Sequence, residues 1–191
     1  VFRSLPTGKA GAGQTVLAAG DALLLFDSST LDLSGDGITV LGTYTSAEEA
    51  ARHGVFCADS NGTVRLVMQK PTLEEQVIAG ALDRRGQAVL DVGLMSLDAG
   101  ASAQILETFC ELSSGGKSVV WKHAMEHAVR VHGIDLYREI SCALGTESSI
   151  EHYLQTVTAS GSKQEESLLG ELYRSLNGIP TNLQMLRQFT F

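Results

Sequence analysis

The segment Val64-Arg65-Leu66-Val67-Met68-Gln69-Lys70-Pro71-Thr72-Leu73-Glu74-Glu75 constrains the architecture more than any other stretch of the chain. Its opening residues, rich in valine and leucine, read as a strand. Pro71 ends that strand, because a residue without a backbone N–H cannot extend a ladder. Thr72 and Glu75 then stand three apart, the spacing of a capping box, so a helix starts at once. A strand that passes into a helix through Lys-Pro leaves a lysine at the strand's mouth. A cation fixed there is suited to holding a phosphate. The alternative for Lys70 is an ordinary solvated lysine.

The same alternation runs through the first half. Gln14 to Phe26 is almost wholly apolar and predicts a strand buried on both faces, broken at Gly20-Asp21. Ile38 to Thr45 is β-branched and predicts the next strand. Ser46 and Glu49 form a capping box for a short helix that stops at Gly54. Gly54–Asp59 and Thr63–Gln69 predict a hairpin, with Asn61-Gly62 supplying positive φ angles. Ala88 to Leu97 is a further strand, and Asp98 caps a helix running towards Leu112. Strands alternating with helices imply an α/β sandwich.

The second half changes character. Trp121–Val131, Ile134–Leu144, Ser149–Val157 and Glu165–Leu176 carry helical spacing, with Gly133, Gly145 and Gly178 as stops. Ser160 to Glu165 reads as a surface loop, and Phe109, Trp121 and Tyr137 as helical core. The expected organisation is an α/β core over 1–113, a helical annex over 114–180, and a strand over 181–191 leading onward. The chain begins at Val1 and ends on Phe189-Thr190-Phe191, which together read as cuts through a longer polypeptide.

Composition narrows the function classes. Forty-three per cent hydrophobic residues across 191 positions suffice for a buried core. Fourteen basic against 22 acidic residues give a net charge of −8, which argues against general nucleic-acid binding. A nucleotide is not excluded, since one phosphate needs only a few local cations, N–H groups or a metal. The absence of any membrane-span-length apolar run or signal-peptide pattern predicts a soluble, cytoplasmic protein with no membrane partner. Cys57, Cys110 and Cys142 are odd in number and widely spaced, so they are read as free thiols.

Gly20-Asp21 is the first candidate site. An aspartate just past a buried strand can hold a divalent metal that bridges phosphate oxygens, and the glycine lets a ligand approach the backbone. A turn aspartate bonded to local backbone is the alternative. Asp91 and Gly93 interrupt an apolar strand. A mid-strand aspartate is costly to bury unless paired or bound to a ligand, so a sugar hydroxyl is one reading and a bulge the other. His123 to His127 fits H-x-x-E-H, with both histidines on one helix face, which keeps a zinc hydrolase as a rival. The Gly8-Lys9-Ala10-Gly11-Ala12-Gly13 loop lacks the order of a phosphate-binding P-loop and is read as a plain loop.

Taken in order, Val1-Phe2-Arg3, AAGDALLLF, ARHGVFCAD at 51–59, LVMQKPTLEE at 66–75, AVLDVGLMSL at 88–97 and GIDLYREISCALG at 133–145 resemble the fucose-1-phosphate guanylyltransferase (GDP-fucose pyrophosphorylase) family, which includes the pyrophosphorylase half of bifunctional L-fucokinases. The resemblance implies a nucleotide-diphospho-sugar-transferase-like mixed sheet flanked by helices. It implies GTP and a sugar 1-phosphate, L-fucose 1-phosphate, as substrates, GDP-L-fucose as product and Mg2+ as cofactor. Residue by residue, it implies that Asp21 binds the metal and Lys70 faces the sugar phosphate. Asp91 and Gly93 touch the sugar, and Gly20 lies beside the substrate. His53-Gly54 matches a family motif without a chemical role to assign. The family's glycine-rich, arginine-containing loop would precede Val1, and a β-helix or kinase would follow Phe191. The 191 residues alone are therefore expected to be inactive. Another sugar-1-phosphate nucleotidyltransferase is the rival within the class, and a non-catalytic interaction domain is a further one.

Overall fold

Strand patterning and helix caps build a mixed α/β sheet with helices on both faces. The computed structural model describes residues 13–20, 25–26, 31–113, 118–186 and 189–190. The strands are β1 (Thr15–Ala18), β2 (Leu25–Phe26), β3 (Ile38–Ser46), β4 (Gly54–Ala58) and β5 (Val64–Gln69). They continue with β6 (Gln87–Leu97), β7 (Cys110–Leu112), β8 (Val119–Trp121), β9 (Thr181–Met185) and β10 (Phe189–Thr190). Six of them form the central sheet in the order β5-β4-β6-β3-β9, with β1 also on β6. The β3–β9 pair is parallel, and the other pairs in that sheet are antiparallel.

Period-2 alternation along β6 sends successive side chains to opposite faces. On one face, Ala88 packs with Ala50, Val55, Cys57 and Met68 beneath the short helices α1 (Ala47–Ala50) and α2 (Leu73–Ile78). Further along this face, Val92 and Leu94 join Leu31, Leu33, Leu41 and Leu186. On the other, Phe56, Val67 and Met95 meet Met125, Leu144, Tyr153, Leu172 and Leu176. These come from α4 (His123–Val131), α5 (Ile150–Ala159), α6 (Glu166–Leu176) and the turns before α5. The annex thus shares one continuous core with the sheet.

Several local expectations hold at their stated residues. Thr72 and Glu75 form the reciprocal capping box, with Glu75 N donating to Thr72 Oγ1 at 3.2 Å and Thr72 N to Glu75 Oε2 at 2.7 Å. Asp98 caps α3 (Ala99–Phe109) by accepting from Ala101 N at 2.7 Å. That bond and a second from Gly37 N hold the Asp98 carboxyl below its ordinary pKa. All three cysteines are free, with Cys57 and Cys142 buried. Burial pushes these two thiols up, to about 11 and about 12, so neither is a ready nucleophile.

Others are corrected. The run from Gln14 to Phe26 yields the short strands β1 and β2, and β1 is half-exposed rather than covered on both faces. Ser46 caps α1, but Glu49 reaches forward to Arg52 and His53 instead of back to the cap. Helix α1 closes before Gly54, which opens β4. In the β4–β5 turn only Gly62 has positive φ, at +86°, and Asp59 Oδ1 closes the loop by accepting from Asn61 N and Thr63 N. Trp121 lies in β8, 48% exposed, against the edge of Phe109. Residues 134–144 form a π-helical turn (Leu136–Ile140) and a 3₁₀ turn (Ser141–Ala143), not one α-helix. No helix among the described residues is long and apolar enough to cross a membrane.

Candidate active site

The site grows from an interruption in the sheet. One edge of β6 is taken by β3. Along the opposite edge β1 pairs with Leu94–Leu97, while β4 pairs with Val89 and Leu90. The two neighbours lie end to end and part beside Asp91-Val92-Gly93. Ala19 N donates to Gly93 O at 2.8 Å, so the chain leaves β1 at this parting. The carboxyl ends of β1 and β5, which run in opposite directions, both reach this parting.

Register brings Gln69 of β5, Gly54 of β4 and Asp91 of β6 into one row across three strands. A Cβ added to Gly54 would stand 3.1 Å from Asp91 Cβ, 3.2 Å from Gln69 Oε1 and 3.3 Å from Asp91 Oδ2. A larger residue would crowd both side chains, which gives the His53-Gly54 motif a steric reason. Gln69 Oε1 is buried and has no hydrogen-bond partner among the described residues. Burial pushes the Asp91 carboxyl up to about 6, opposed by the bond its Oδ1 accepts from Gly93 N at 2.7 Å. The unpaired Gln69 Oε1 and the Asp91 carboxyl therefore flank the same glycine, an arrangement suited to a ligand's hydroxyl hydrogens or to a hard cation.

Lys70 follows Gln69 directly, with φ at +51°. A side-chain-bearing residue in that region costs on the order of 1–3 kcal/mol and persists only where its surroundings over-determine it. Here Lys70 N donates to His53 O at 2.8 Å, Pro71 fixes the next φ, and the Thr72 box anchors the helix beyond. The lysine side chain is exposed at the strand end. Two strand spacings of about 4.8 Å separate its backbone row from that of Asp91, roughly 10 Å, the span of a small phosphorylated sugar. Lys70 also borders a groove of about 730 Å³ between α2 and α5.

The structure therefore gathers Lys70, Asp91, Gly93 and Gly20 around one end of the sheet. Asp21 and the Gly8–Ala12 stretch lie outside the described residues. A Cβ on Gly20 meets no described atom within 4 Å. Gly93 has φ +74°, and a Cβ there would stand 2.9 Å from Ala19 Cβ and 3.3 Å from the Tyr137 hydroxyl. Its bareness lets β1 and Tyr137 pack against the strand. Sequence reasoning missed Gln69, gave Gly54 no chemical role and read as helical core Tyr137, whose hydroxyl donates to Gly93 O at 3.2 Å. No local pattern marks them, since strand order alone makes them neighbours.

His123 and His127 border a shallower groove of about 300 Å³ with His132, Glu165 and Glu171. Among the described residues no three His, Cys, Asp or Glu side chains are placed to hold a metal, so the zinc rival finds no ligand set there. No match was found among curated proteins. A family profile described as the fucose pyrophosphorylase domain matches residues 3–191, which spans every element described above. With the mixed sheet and the lysine at the mouth of β5 in place, that match settles the family: the chain belongs to the fucose pyrophosphorylases.

Proposed function

We propose that this chain supplies the sugar-phosphate side of a nucleotidyltransferase that makes GDP-L-fucose from GTP and L-fucose 1-phosphate in the cytoplasm. In that reaction an oxygen of the sugar phosphate forms a bond to the α-phosphorus of GTP. The bond from that phosphorus to the β-phosphate bridge breaks, and pyrophosphate leaves. The family supports the reaction type. The observation that carries the residue assignment is the placement of Lys70, with its backbone tied to His53, directly beside the row of Gln69, Gly54 and Asp91.

Lys70 serves as the point charge that draws the sugar phosphate to the carboxyl end of β5 and offsets the charge brought together in the transition state. Asp91 Oδ2 and Gln69 Oε1 accept hydrogen bonds from sugar hydroxyls. Gln69 Oε1 is buried without a partner among the described residues, so a sugar lacking the matching hydroxyl leaves it unpaired and is rejected. Gly54, Gly93 and Gly20 keep backbone and side chains out of the space the sugar needs or the packing demands. The carboxylate and amide oxygens have the chemistry that magnesium takes, and Asp21 would hold the ion from the end of β1. When bound, magnesium supplies charge neutralisation for phosphate oxygens. The division into core, annex and outgoing strand at residues 113 and 180 stays part of this proposal.

The test is Lys70→Gln in the complete enzyme, which removes the charge and keeps length and backbone. We expect kcat/KM for the sugar 1-phosphate to fall about a hundredfold or more, the scale of losing one electrostatic contact at a transferring phosphoryl group. The unfolding midpoint should stay in place. An unchanged kcat/KM refutes the assignment of Lys70.

A further inference from the structure

Pro71 and the residues around it are held by a side chain that belongs to neither the strand nor the site. Gln76 lies in α2 and is fully buried. Its Nε2 donates to Pro71 O at 3.2 Å and to Ala47 O at 2.9 Å. One amide thus ties the Lys-Pro corner to the start of α1. From Ala47 the chain runs through α1 to His53, whose carbonyl accepts from Lys70 N at 2.8 Å. The result is a closed loop of contacts, Gln76 to Ala47, α1 to His53, His53 to Lys70, and Pro71 back to Gln76. That loop encloses Lys70, the one residue other than glycine with positive φ among the described residues.

The other half of the same amide points to a specific role. Gln76 Oε1 is buried with no partner among the described residues. A buried acceptor left unpaired destabilises the fold, and an aliphatic side chain of similar length would fill the space without it. The donor half is what the amide adds over methionine, and both carbonyls it reaches flank the Lys70 corner. We propose that Gln76 is a positioning residue for Lys70, fixing the lysine at the mouth of β5 for the sugar phosphate. The inference rests on the reading of Lys70 as the phosphate contact.

A double-mutant cycle in the complete enzyme separates the two ideas. Gln76→Met, with Gln76→Leu carried alongside in case the first does not fold, removes the clamp and the orphan oxygen together. The unfolding midpoint is expected to hold or rise, while KM for the sugar 1-phosphate rises about tenfold or more and KM for GTP stays put. Hydrogen exchange at the Lys70 amide should quicken. In a Lys70→Gln background the Gln76 change should add nothing. The inference fails if the rise is the same in both backgrounds, or if neither Gln76 variant raises KM while Lys70→Gln does. Should Lys70→Gln itself leave KM and kcat unaltered, the phosphate reading falls and takes this inference with it.

Discussion

Asp91 carries the clearest signature of a residue kept for something other than stability. Its carboxyl titrates at about 6 in the folded chain against an ordinary 3.8, because burial disfavours the charged form. Between those values the folded state holds more protons than the unfolded chain. Stability therefore falls as pH rises from about 4 through about 6 and stays lowered above it. Asp91→Asn should raise stability near pH 7 by up to about 3 kcal/mol and leave it unchanged near pH 3, while activity drops. Denaturant unfolding at the two pH values checks this, and an equal difference at both refutes it. The sequence exposed Asp91 and Lys70 because each interrupts an apolar or extended run with a charge. It hid Gln69 and left Gly54 without a role, since the two become neighbours of Asp91 only when β4 slots between β5 and β6.

At the level of elements, the turn that carries Tyr137 shows what stabilises irregular backbone. Asp135 Oδ1 accepts from Tyr137 N at 2.8 Å and Arg138 N at 3.0 Å. Glu139, fully buried, accepts from Asp135 N at 2.9 Å, Ser162 Oγ at 2.7 Å and Arg138 Nε at 2.9 Å. The Tyr153 hydroxyl donates to its backbone oxygen at 2.8 Å. Glu139→Ala strands the Asp135, Arg138 and Ser162 donors and should cost about 3–5 kcal/mol, measured as a fall in unfolding free energy. A loss below about 1 kcal/mol would show that water replaces the carboxylate. Helical spacing over 134–144 was real, but the chain closes there as a π-helical turn in which the Glu139 carboxylate accepts from both Asp135 N and Ser162 Oγ. The β7–β8 ribbon was missed for another reason. Gly115-Gly116 between two apolar runs was the available turn signal, and the α-helical periodicity on either side masked it. Caps, by contrast, were legible because Thr72 and Asp98 act on backbone only three residues away.

For the molecule as a whole, the shared core decides how the annex behaves. Ile38, Val40, Phe56 and Met95 of the sheet are buried by Tyr153, Leu172 and Leu176 of the annex. Each fully buried side chain of that size contributes on the order of 2 kcal/mol, so neither half keeps its stability alone. A chain ended after residue 113 is expected to lose its sharp unfolding transition, as followed by circular dichroism and calorimetry. A cooperative transition in that shortened chain would overturn the expectation. The mixed sheet with flanking helices was legible from the alternation of patterns. The parallel seating of β9 beside β3 was not, because it depends on a return across more than 130 residues.

The parting between β1 and β4 has one more consequence. The gap in pairing along β6 exists because β1 and β4 stop short of each other, so its extent is a matter of strand length rather than of side-chain identity. Insertions that lengthen either strand are expected to close that gap. On the proposed reading of Asp91 as a sugar contact, lengthening and trimming at these two ends offers related chains a route to accommodating a different sugar without redesigning the lysine corner.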